Sequence, residues 1–286
     1  MKKLLACIDG SIYGQTCCQY ALWLAEKTGA SANMLYVSEI WQYEAPLVAD
    51  FGGSLGAQPY LGLTAQLRQV EAKKAGLIEG YVRSVFEKAG LGERVAFHSR
   101  TGVLVDSIVE FETSPALADL LIIGKRGEAA NMAKAHLGSN MERVVRASHL
   151  PCFVANREFT EPRKLLFACD GSASADKAIA WYGANRNAFA DAEVHVVTVA
   201  AKQDGVGEVE ARLNQAAQAL EAHGCKVVRA LLSGIPAEAI AAYQQEQGAN
   251  LLLMGAYGHS RIRRLLIGST TVELLQRCRV PVVLFR

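Results

Sequence analysis

The chain alternates short, continuously apolar runs with longer stretches of helical patterning. In its C-terminal half the apolar runs are "KLLFAC", "EVHVVTV", "CKVVRAL", "NLLLMG" and "VPVVLF". They are rich in Val and Leu and lack polar-out alternation, as strands covered on both faces do. Between them lie "ASADKAIAWYGANRNAF", "VGEVEARLNQAAQALEAHG", "PAEAIAAYQQEQG" and "STTVELLQRCR". These read as helices, with Gly224 and Gly248 standing where C-terminal caps belong. Strand alternating with helix predicts right-handed crossovers and a parallel, doubly wound α/β sheet of five strands, with ligands outside the carboxyl ends of the strands.

The N-terminal half repeats this pattern. "LLACIDGS" returns as "LLFACDGS", "LADLLIIGKRG" as "GANLLLMGAYG", and "LGSNMERVVRASHLPCFVA" as "IGSTTVELLQRCRVPVVLF". Asp9 and Asp170 are 161 residues apart, Gly124 and Gly255 are 131, and Pro151 and Pro281 are 130. A constant order with a drifting offset marks a duplicated domain. The polar stretch "NREFTEPRK" separates the copies, giving domains at 1–156 and 163–286. The copies differ most after the second strand. Val37 to Gly90 spans 53 residues, whereas Val199 to Gly224 spans 25. The surplus, about 39–63, is rich in Gly and aromatics and has no clear periodicity. It reads as a long loop insertion leaving the carboxyl end of a strand, either over a ligand site or as a packing flap.

Composition narrows the class. The formal net charge of +2 over 286 residues offers no basic field for nucleic acid or a membrane surface. No apolar stretch approaches the roughly 18 residues of a membrane span, and "MKKLLACIDG" is broken at Asp9 before it reaches the length of a signal core. The seven cysteines are odd in number and form no C-x-x-C pair, which reads as reduced thiols in a cytoplasmic protein. The adjacent Cys17 and Cys18 are either helix-packing residues or a redox pair. Trp23 and Trp181 fall in helical patterns and are expected to pack; Trp41 lies in the insertion. The six histidines have no H-x-x-x-H or H-x-H spacing, so no metal cluster is indicated.

The candidate chemistry sits in "MGAYGHSRIRRLLIGST". Gly255 ends a buried strand. Glycine there and at Gly258 permits positive φ and lets backbone N–H groups approach an anion. Gly268, Ser269 and Thr270 open the next helix, whose first N–H groups and dipole favour negative charge. His259, Arg261, Arg263 and Arg264 lie between. Two N–H clusters joined by a short excursion can close on a polyphosphate. Neither G-x-x-x-x-G-K-[ST] nor G-x-G-x-x-G occurs. Asp170, at the end of "FACDGS", is either a ligand acceptor or an Asx-turn leading into the following helix.

The G-x-x-G, nine-residue, G-[ST] pattern, the strand-one "DGS" and the closing "VPVVLF" together resemble the universal stress protein family, in two copies over nearly the whole chain. The resemblance implies, in each half, a five-stranded parallel sheet ordered 3-2-1-4-5, with last-strand contacts joining the halves as an internal pseudo-dimer. A homodimer is the further assembly it allows. It implies adenine-nucleotide binding, ATP or AMP with Mg as accompanying ion, in a stress-response regulator rather than a dedicated enzyme. The base-contacting positions fall on Asp170 and Val199, and the phosphate and ribose positions on Gly255, Gly258, Gly268, Ser269 and Thr270. The first-half equivalents are Asp9, Val37, Gly124, Gly127, Gly138 and Ser139.

The first half departs from the pattern. Ten residues, not nine, precede Gly138, one Lys replaces three Arg, and Glu128 follows Gly127. A carboxylate beside phosphate is repulsive by about 1 kcal/mol, depending on exposure; Lys125 and Arg126 are expected to offset part of this. The expectation is that nucleotide is held mainly in the second half. The competing classes are a slow ATPase or nucleotide phosphohydrolase, with His259 the base candidate, and a scaffold that has lost nucleotide binding.

Overall fold

A computed structural model describes residues 1–42, 58–113, 118–127, 138–200, 205–256 and 267–286. The first half runs β1 (Lys3–Cys7), α1 (Ile12–Thr28), β2 (Ser31–Ser38), α2 (Gln58–Lys88), β3 (Val95–Thr101), α3 (Leu104–Thr113), β4 (Leu120–Gly124), α4 (Ser139–Ala147) and β5 (Cys152–Ala155). The second half follows the same plan: β6 (Lys164–Ala168), α5 (Ala173–Ala184), β7 (Glu193–Ala200), α6 (Val206–Glu221), β8 (Val227–Ser233), α7 (Pro236–Gln247), β9 (Leu251–Gly255), α8 (Ser269–Arg277) and β10 (Val282–Phe285).

Each half has the expected strand order. The two do not form two sheets, however, but one sheet of ten strands, ordered β3-β2-β1-β4-β5-β10-β9-β6-β7-β8. The join is antiparallel, Val282 to Val154, Val283 to Phe153 and Leu284 to Cys152, and every other pairing is parallel. The reason is local. β5 and β10 are each four residues long, apolar and buried throughout. Left as edges, they would bury unpaired N–H and C=O groups.

The two-residue strand period divides the core into two layers. Leu4, Ala6, Phe153, Phe167 and Val283 face α1, α2, α5 and α6. Leu5, Cys7, Val154, Leu252 and Leu284 face α3, α4, α7 and α8. Contacts outside the sheet also join the halves. Trp23 packs on Phe189 of the other half at 5.6 Å, and Tyr20, which packs on Phe153 of its own half at 4.7 Å, holds the linker through Phe159 at 4.8 Å. Cations and amides of one half reach helix-end carbonyls of the other. Lys125 Nζ donates to the Cys278 carbonyl at 2.9 Å, Asn156 Nδ2 to that of Arg279 at 2.7 Å, and Arg286 Nη1 to that of Arg146 at 3.1 Å.

Several expectations change. Gly248 caps α7 in the left-handed conformation (φ 65°), but α6 ends at Glu221, and Gly224 (φ 79°) turns the chain beyond it. The proposed insertion lies partly in residues 43–57, outside the described residues. Its last part, from Gln58, is the start of the 31-residue helix α2 rather than loop. All seven cysteines are free thiols, and Cys17 and Cys18 are fully buried, so they pack. Burial pushes the Cys18 thiol up to about 12. Trp23 is buried and Trp181 packs on Phe285 at 5.6 Å, whereas Trp41 is exposed. Among the described residues no helix is long and apolar enough to cross a membrane.

Candidate functional site

The carboxyl ends of β1, β2 and β4 open into a cavity of about 760 Å³. Its walls include all six first-half candidates: Asp9, Val37, Gly124, Gly127, Gly138 and Ser139. One floor is the start of α4. Gly138 is its N-cap, with no side-chain cap, so the first amides of the helix face the cavity without a protein acceptor from the cap position. Such a helix start favours anions. Arg126 lines the same space.

Asp9 makes the Asx-turn that was one of the two readings of its counterpart Asp170. Its Oδ1 accepts from the Ser11 amide at 3.0 Å and from the Ser11 hydroxyl. Ser11 Oγ in turn caps α1 by accepting from the Gly14 amide at 3.2 Å. The turn and the cavity wall coexist: Oδ2 would lie 3.0 Å from a Cβ at position 127. Asp170 repeats the turn, accepting from the Ser172 amide at 3.0 Å.

The glycines act differently from expectation. Gly124, Gly127, Gly138 and Gly255 do not have positive φ, and Gly268 has φ −59°. What they allow is close approach. A Cβ on Gly124 would lie 2.8 Å from Tyr13 Cβ, and one on Gly255 would lie 2.4 Å from Ser174 Oγ. The end of each fourth strand thus touches the first turn of the first helix in its half.

The two phosphate-loop candidates are anchored alike. The Gly138 amide donates to the Lys125 carbonyl and the Gly268 amide to the Ala256 carbonyl, both at 3.1 Å. The Lys125 amide donates to Ala155 at 2.8 Å and the Ala256 amide to Phe285 at 2.7 Å. The extra residue of the first half therefore leaves both ends of the excursion in place. The excursions themselves, 128–137 and 257–266, lie outside the described residues, and with them Glu128, Gly258, His259 and Arg261. Ser269 and Thr270 begin α8, which also lacks a side-chain cap. Val199 is half-buried near the end of β7. Lys125 does not turn to the cavity to offset Glu128; it reaches across the sheet join to Cys278.

Sequence reasoning missed the wall built by α2. Leu67, Val70, Glu71 and Lys74 line the cavity. Glu71 Oε2 accepts from the Tyr36 hydroxyl at 2.6 Å and the Ser38 hydroxyl at 2.8 Å. Lys74 Nζ stands 5.6 Å from the Tyr36 ring centroid. Burial works to raise the Glu71 pKa, but the Tyr36 and Ser38 hydroxyls and the Lys74 charge outweigh it and hold the carboxyl below its ordinary range. The one available signal was a hydroxyl on either side of Val37 where the second half has Thr198 and Ala200.

The model of the universal stress protein family matches residues 1–156 and again 161–286. Universal stress protein Slr1230 of Synechocystis sp. is 40% identical over 293 residues, covering 100% of both chains. Universal stress protein MJ0577 of Methanocaldococcus jannaschii is 27% identical over 79 residues, 28% of this chain and 49% of that one. In fold, the chain is similar to a universal stress protein from Archaeoglobus fulgidus, with TM-score 0.72 and 22% identity over 99% of this chain and 98% of that one. A functionally unknown protein from Pseudomonas aeruginosa, PA1789, has TM-score 0.65 and 16% identity over 100% and 92%. The chain belongs to the universal stress protein family, with the family's domain present twice in tandem.

Proposed function

We propose that the protein is an adenine-nucleotide-binding regulator of the stress response, in which ATP or AMP occupancy biases conformation or partner choice. One observation carries the reading: a cavity at the carboxyl ends of the strands that gathers the six first-half candidates around an uncapped helix start. Its volume, about 760 Å³, is within the range of small-molecule sites. The anion-favouring start of α4 and the apolar surface at Val37 suit a phosphate and a base respectively. The second half supports a site of the same design, because Gly268 and Ala256 repeat the anchoring bonds of Gly138 and Lys125. The nine-residue spacing and the arginines of its excursion favour the second half as the tighter site.

The test is direct. Protein purified without added nucleotide is denatured, and the released small molecules are identified by mass spectrometry. The expected release is adenine nucleotide, lost in Ser269→Asp and kept in Ser139→Asp. An acidic residue in the first turn suits a helix N-terminus but repels phosphate. Absence of released nucleotide, together with no binding of added ATP, would overturn the reading.

A further inference from the structure

The two halves share their phosphate anchors but not the wall at the far end of the cavity. In the first half that wall is α2, 31 residues long against 16 for α6. Tyr36 and Ser38, two apart on β2, share one strand face. Both give their hydroxyls to the same oxygen of Glu71. The positions beside Val199 are Thr198 and Ala200, and α6 begins only at Val206. The carboxylate clamp therefore belongs to the first half.

Its place in the cavity defines what it meets. The helix start at Ser139 follows β4, whereas Val37 and the clamp sit at β2 and α2. β1 lies between β4 and β2, so the two ends are about 10 Å apart at roughly 4.8 Å per strand step. A nucleotide seated on α4 by its first phosphate spans this distance with its base, which then meets Glu71. A carboxylate held ionised accepts hydrogen bonds and donates none. Facing the purine 6 position, it favours an amino group there and opposes a carbonyl oxygen.

We propose that Glu71 is a specificity-determining residue of the first-half cavity, selecting a 6-aminopurine nucleotide over its 6-oxopurine counterpart. The inference rests on the nucleotide reading above. It sets the first half apart as a base-discriminating site, since the positions on β7 that match Tyr36 and Ser38 are Thr198 and Ala200.

The experiment uses full-length Ser269→Asp protein, in which the second half is closed to phosphate, titrated calorimetrically with ATP and with ITP. The two ligands differ at the purine 6 position, amino in one and carbonyl in the other. The expected result is a preference for ATP of roughly tenfold or more, the worth of a hydrogen bond to a charged group. Adding Glu71→Gln keeps an acceptor for Tyr36 and Ser38 but supplies an amide N–H for the carbonyl. The preference should then fall to about twofold or reverse. Equal affinity for ATP and ITP in the Ser269→Asp parent overturns the inference without any change at Glu71. So does an unaltered preference in the double variant. Binding of neither ligand by the parent overturns the nucleotide reading of this half itself, an outcome distinct from binding without discrimination.

Discussion

Gly14 is the sharpest point at which packing around the cavity can be tested. It is the third residue of α1 and is buried. A methyl group there would lie 2.5 Å from the Asp9 carbonyl oxygen, 2.6 Å from the Asp9 amide nitrogen and 2.6 Å from Asp9 Oδ1. Two of these atoms are backbone, so no rotamer change relieves the overlap. Helix propensity argues the other way, since Ala is favoured over Gly by about 1 kcal/mol. Overpacking of a close-packed site costs about 1–3 kcal/mol, occasionally more. Three contacts this short belong at the upper end, which leaves Gly14→Ala destabilising by about 2 kcal/mol net. For a domain of this size that lowers Tm by roughly 4–8 °C. The matching position of the second half is Ala175, which is buried and whose amide donates to Ser172 Oγ as that of Gly14 does to Ser11. There the reverse change, Ala175→Gly, loses helix propensity and a buried methyl, and should cost about 1–2 kcal/mol. Opposite substitutions at equivalent positions should thus both destabilise. Thermal and urea unfolding of the two variants is the assay. A Gly14→Ala protein as stable as the wild type, or more so, would refute the reasoning.

Lys125 provides a pH-dependent counterpart. Burial pushes its ammonium down to about 8; the nearby Cys278 opposes this and Arg126 adds to it. Between about pH 8 and the ordinary value of 10.5, the unfolded chain keeps a proton that the folded chain has released, so stability contributed at this site rises with pH across that window. Lys125→Met should remove that rise, visible as a wild-type-minus-variant Tm difference that grows from pH 8 to 10; parallel curves would contradict it. Thr198 is buried at 2% exposure, and its hydroxyl has no hydrogen-bond partner among the described residues. Thr198→Val should therefore raise stability by about 1 kcal/mol in urea unfolding, and a loss of stability would show that the hydroxyl is satisfied.

The architecture was legible because its determinants are local and repeated. Short apolar runs alternating with helical stretches read as strands of a parallel sheet, and two copies of one pattern fold to one plan, although β3 and β8 are partly exposed edge strands rather than covered ones. The joining of the halves through "CFVA" and "PVVLF" was legible only as what the family resemblance implies; no local pattern says that these two strands merge the halves into one sheet. The start of α2 was missed because its first residues, "QPYLG", hold Pro59 and Gly62, which read as loop, and the helical spacing of Leu63, Leu67 and Val70 begins only after them. The clamp of Glu71 on Tyr36 and Ser38 joins residues 35 and 33 positions apart, a separation that no local pattern encodes.

The glycine motif shows how a correct spacing can rest on an incomplete reason. Gly124 and Gly255 do not need unusual backbone angles; they need room for Tyr13 and Ser174 beneath them. That contact sets the height of the first helix against the fourth strand, and so the distance between the Asx-turn at Asp9 and the helix start at Ser139. The same logic weakens the case against the first half. One additional residue between Gly127 and Gly138 leaves the Gly138 amide on Lys125 as the Gly268 amide is on Ala256. Any difference in affinity between the halves must then come from charge within the excursions or from the wall opposite them. Of these two sources, the described residues supply the second: a carboxylate, two hydroxyls and a lysine on β2 and α2, at the end of the cavity away from the helix start at Ser139.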